Sequence, residues 1–79
     1  MDGEFAQMVL AAAFRSSREI GELARMAKAF SEAEQGPRLK GQMVDVLAEL
    51  GKLTEAVYEI HPDLRALVDA RIEKYGKAF

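Results

Sequence analysis

The stretch Leu39-Lys40-Gly41-Gln42-Met43-Val44-Asp45-Val46-Leu47-Ala48-Glu49-Leu50-Gly51-Lys52-Leu53-Thr54-Glu55-Ala56-Val57-Tyr58-Glu59-Ile60 decides the fold. Within it Leu39, Met43, Val46, Leu50, Leu53, Val57 and Ile60 recur in alternating steps of four and three, which sets apolar side chains along one side of a helix. Upstream, Val9, Ala13, Ser16, Ile20, Leu23, Ala27 and Phe30 follow the same steps. Two matched stripes of three heptads predict two long helices packed along their length. Nowhere do β-branched or aromatic residues alternate over five or more positions, so the strand signals are absent.

The punctuation agrees with this spacing. Asp2 suits an N-cap, with its carboxylate near the positive end of the helix dipole. Gly36-Pro37 is read as the end of the first helix and the start of the second, which runs from about Pro37 to Ile60. His61-Pro62-Asp63 breaks it, because a residue before proline avoids the α region. A shorter third helix, from about Pro62 to Tyr75, carries Leu64, Leu67, Val68, Ile72 and Tyr75. The expected fold is all-α, a long antiparallel hairpin plus a short third helix. A turn at Gly36 sets Gly21 beside Gly51, where two glycines permit either a close backbone approach or room for a ligand.

The run Met8-Val9-Leu10-Ala11-Ala12-Ala13-Phe14 is apolar all round, and one partner helix covers only one stripe of it. Leu10 and Phe14 therefore need the third helix or another subunit, and a subunit interface is expected. Two hairpins packed together form a four-helix arrangement, so a homo-oligomer, dimer or tetramer, is the expected state.

The 79 residues make one domain, 1–79. A lone core of that size is marginal, and small folds usually add a staple or a partner. With no cysteine, disulfides and thiolate metal sites are excluded, and a reducing, cytoplasmic location is expected. A net charge of −2, with acids and bases interspersed, argues against a nucleic acid polymer as partner. Met1-Asp2-Gly3-Glu4 lacks a basic signal-peptide start, and no apolar run approaches a membrane span.

Chemistry is sought in the acids first. Glu19 and Glu22 are three apart on the first helix; Asp45 and Glu49 are four apart on the second and fall at the same level of the hairpin. Converging carboxylates suit Mg²⁺ or Mn²⁺. The spacing alone favours the plainer reading, in which all four are solvated surface acids paired with Arg15, Arg18, Lys52 or their neighbours. Arg71, Lys74 and Lys77, every three residues, suit either phosphate oxygens or the negative end of the last helix. His61 has no second histidine to join it in a zinc site and fits a cap or turn. Ser16, Ser17, Ser31 and Thr54 have no local base to activate them.

Arg18-Glu19-Ile20-Gly21-Glu22-Leu23 followed by Gln42-Met43-Val44-Asp45-Val46-Leu47 resembles the MazG-like nucleotide pyrophosphohydrolases, all-α enzymes with Glu-Glu-x-x-Glu on one helix and Glu-x-x-Asp on the next. The closing segment Arg71-Ile72-Glu73-Lys74-Tyr75-Gly76-Lys77-Ala78-Phe79 is similar to that family's lysine-bearing end. Arg18 stands where the first signature glutamate falls, and Gln42 where the fourth does. The resemblance implies Mg²⁺- or Mn²⁺-dependent release of pyrophosphate from a nucleotide. Glu19, Glu22 and Asp45 would hold the metal, Lys74 and Lys77 would neutralise phosphate, and Glu49, outside the signature but one turn beyond Asp45, would serve as an auxiliary ligand or water-orienting base. The alternative, from the heptad stripes alone, is a non-catalytic helical oligomerisation or adaptor protein.

Overall fold

The computed structural model describes residues 2–30 and 34–79, with Lys28 and Phe30 by their backbone alone. It is all-α: α1 spans Gly3–Phe30, α2 Gln35–Ile60 and α3 Asp63–Tyr75, with no strand among the described residues. Asp2 caps α1 as expected: its Oδ1 accepts from the Glu4 N–H at 2.7 Å and the Phe5 N–H at 3.3 Å. The second helix ends at Ile60, where the His61 N–H closes the last turn on the Val57 carbonyl at 2.8 Å. Pro62 caps α3, and its missing N–H costs nothing there.

Gly36 departs from the expected role. It is buried inside the first turn of α2, and among the described residues only Gly76 adopts a positive φ. Pro37 sits one residue further on, still within the turn whose N–H groups have no intrahelical partner, so it interrupts no hydrogen bond.

α1 and α2 pack against each other, α3 touches α2, and the molecule measures 45 × 25 × 14 Å. The residues turned inward on α1 are Ala6, Leu10, Ala13, Ser17, Ile20, Ala24 and Ala27; on α2 they are Gly36, Met43, Leu47, Leu50, Thr54 and Val57, all buried or half-buried. These rows share Ala13, Ile20, Ala27, Met43, Leu50 and Val57 with the expected stripes, but Leu23, Leu39, Val46, Leu53 and Ile60 are left outside. Phe30 lies outside the described side chains. The reason is geometric. Each apolar stripe is wider than one partner helix can cover, so the pair rotates to bury one edge of it.

The core gathers at one end. Ala6 and Leu10 of α1 meet Val57 and Tyr58 of α2, Leu64 and Val68 of α3, and Ala78, with Val9, Phe14 and Phe79 packed around them. Leu10 is therefore covered by other helices of its own chain, as Phe14 is in part by Phe79. The exposed residues of that run are Met8, 67% exposed, and Ala12, so its outer side is not the one expected at Leu10 and Phe14. Toward the other end of α1 the buried side chains among the described residues are Ala24 and Ala27, and five of the ten buried apolar residues described are alanines. A Cβ added at Gly21 or at Gly51 meets nothing within 4 Å, so the two glycines do not form a close helix crossing.

Candidate functional site

Glu19, Glu22, Asp45 and Glu49 are all exposed. At about 100° per residue, Glu19 and Glu49 point about 130°, and Glu22 and Asp45 about 170°, away from the inward rows of their helices. Pointing outward from two helices that pack together, these acids diverge. Among the described residues no group of three or more Asp, Glu or His side chains stands close enough to hold a metal ion. Glu49 instead pairs with Lys52, one turn on, at 2.9 Å.

Arg18 and the end of the chain explain each other. Gly76, with φ 75°, closes α3 in the left-handed conformation, its N–H bonding the Ile72 carbonyl at 2.8 Å. The segment beyond it turns back on α1. Ala78 is buried, and the Phe79 ring lies 6.0 Å from Phe14, centroid to centroid. Arg18 Nη1 donates to the Phe79 carbonyl at 3.0 Å, while Arg71 donates to the Ala78 carbonyl and stacks its guanidinium 4.9 Å from the Phe79 ring. Arg18 is thus a clasp for this segment. Lys74 lies 5.3 Å from the Tyr75 ring, and Lys77 is exposed just past Gly76. No sequence signal marked this clasp, because Arg18 and Phe79 are 61 residues apart.

A second group ties α2 to α3. Arg65 bonds Glu55 at 2.7 Å and lies 4.5 Å over the ring of Tyr58. Burial pushes the Tyr58 hydroxyl above its ordinary pKa of 10.0; Arg65 partly offsets this, and Asp69 and Glu55 add to it. His61 Nδ1 stands 4.0 Å from Asp63 at the break between α2 and α3. These contacts are structural.

Two open depressions lie on the surface of the described residues. One, of about 310 Å³, lies over Gln35, Arg38, Leu39 and Gln42; another, of about 430 Å³, lies on α1 beside Met8 and Arg15. What stands out is a row. Leu39, Val46, Leu53 and Ile60 are 43, 46, 43 and 51% exposed, at seven-residue intervals along α2. On α1, Val9, Ser16 and Leu23 hold the equivalent place, each directly before an inward residue. Met26, Val44, Phe5 and Met8 add further exposed apolar surface. Among the described residues more large apolar side chains are exposed than buried, well beyond the scattered few that need no explanation.

No family model, characterised protein or solved structure matches this chain. Among the described residues, no helix is long and apolar enough to cross a membrane.

Proposed function

We propose that this chain is a non-catalytic helical association module, in which α1 and α2 form an antiparallel hairpin that completes its core by joining a partner bundle. The observation that carries the reading is the exposed row Leu39, Val46, Leu53 and Ile60. In an antiparallel pair, the positions just before the inward residues of both helices fall on the same side. Val9 then neighbours Ile60, Ser16 neighbours Leu53, and Leu23 neighbours Val46, making one broad apolar face. The internal core supports the same reading, because alanines bury little area and contribute correspondingly little stability.

Self-association is the simplest way to cover such a face, and it makes stability depend on concentration. The melting temperature of the native chain should rise as its concentration rises. Leu53→Glu, which places a charge in the middle of the row and removes nothing from the inward side, should abolish that rise and leave the helices in place by circular dichroism. A melting temperature independent of concentration in both proteins would remove the support for association. The same samples separate this reading from nucleotide hydrolysis. Pyrophosphate release from nucleotides with Mg²⁺ or Mn²⁺, lost in Glu19→Gln and Asp45→Asn, would return the four outward acids to the role the sequence resemblance gives them.

A further inference from the structure

Directly before each residue of the exposed row stands a charged residue: Arg38 before Leu39, Asp45 before Val46, Lys52 before Leu53 and Glu59 before Ile60. All four are exposed and share one line along α2 at seven-residue spacing, with signs alternating plus, minus, plus, minus. The order is antisymmetric about the middle of the helix. Reversed end for end, each charge meets its opposite.

We propose that a second copy of this chain docks on the row, with its α2 antiparallel to the first across a two-fold axis. This rests on the association reading above and names both the partner and the geometry. Leu39 then faces Ile60 of the second copy and Val46 faces its Leu53. Along the rim Arg38 meets Glu59 of the second copy and Asp45 meets its Lys52, each pair occurring twice by symmetry. A parallel two-fold pairing leaves the two charged lines on opposite sides of the interface, so only the antiparallel arrangement brings them together, and the charges select orientation while the apolar row supplies affinity. Lys52 already holds Glu49 at 2.9 Å on the open surface, and its exposed ammonium has donors to spare for a second carboxylate.

The surface area agrees with a second copy. A folded monomer of 8.7 kDa exposes about 4,700 Å² on the usual scaling of area with mass. This chain exposes 5786 Å². The excess, about 1,000 Å², is close to the roughly 800 Å² that each partner buries in a standard interface. The molecule is 14 Å in its thinnest dimension, close to a single layer of helices, so a second layer laid on the row gives the two-layer architecture of stable helical domains.

Charge exchange tests the orientation. Arg38→Glu with Lys52→Glu makes the whole line acidic, and Asp45→Lys with Glu59→Lys makes it basic. Each double variant alone should self-associate roughly tenfold or more weakly than the native chain at low salt, and mixing the two should give a 1:1 heterodimer by native mass spectrometry. Asp45→Lys alone should also weaken association, and adding Lys52→Asp should restore it, because the pair is then merely reversed. Circular dichroism confirms that each variant is helical, and the reversed pair keeps the test decisive if a double variant fails to fold. Unimpaired association of the acidic variant, no heterodimer on mixing, or no rescue by the reversed pair would overturn the antiparallel geometry while leaving association intact. A native chain that stays monomeric would overturn the association reading itself.

Discussion

Tyr58 joins the core to the contacts between α2 and α3. It is 8% exposed and lies under the guanidinium of Arg65. Its hydroxyl titrates above 10.0 in the folded chain because burial disfavours the phenolate, whereas the unfolded chain returns it to the ordinary value. A raised folded-state pKa gives a contribution fully present below pH 10, and lost as pH climbs from there through the folded value. Thermal melts between pH 8 and about 11 should therefore show native stability falling relative to Tyr58→Phe above pH 10. Parallel pH curves for the two proteins would remove burial as the cause. Arg18 teaches a related point about single residues. Its sequence neighbours set it in the pattern of a glutamate-rich motif, yet its guanidinium is engaged by the Phe79 carbonyl. That role depends on the turn at Gly76, which nothing near residue 18 encodes.

Three helix boundaries were plain from the chain because capping and breaking residues act locally, whereas the turn expected at Gly36-Pro37 was misplaced, both residues lying inside α2. Asp2 starts α1, His61 and Pro62 separate α2 from α3, and α3 ends at Tyr75 before Gly76. Which side of each helix turns inward was only half readable. A seven-residue repeat of apolar residues identifies a stripe, but the stripe from Leu39 to Ile60 spans two edges. Burial falls on Met43, Leu50 and Val57, joined by Leu47 and Thr54 rather than by Val46 and Leu53. The hydroxyl of Thr54 is accommodated there by donating to the Leu50 carbonyl at 3.1 Å, so a polar residue can take an inward place that hydropathy alone assigns elsewhere. The glycines give a direct check on this packing. Gly51 lies inside α2 with open space where a Cβ would go, so Gly51→Ala should raise stability by about 0.5–1 kcal/mol, through lower unfolded-state entropy and better helix propensity. Gly21→Ala should behave alike on α1. A loss of stability in either, measured by urea unfolding, would mean that the backbones approach where this packing keeps them apart.

The whole molecule is a thin layer of helices, with a core concentrated where α1 begins and α2 ends and an alanine-lined contact beyond it. Among the described residues its four outward acids form no group that could hold a metal ion, and its exposed apolar row runs from Leu39 to Ile60. On the proposed reading, divalent cations have nothing to bind, and millimolar Mn²⁺ should leave the melting temperature unchanged; a rise of several degrees would point to a carboxylate site. On the proposed reading a second copy completes the chain. Light scattering coupled to size exclusion, across the micromolar range, tests it most directly. A second copy gives a mass twice the 8.7 kDa of the chain, falling toward that value for Leu53→Glu. A native mass of 8.7 kDa at every concentration would contradict it.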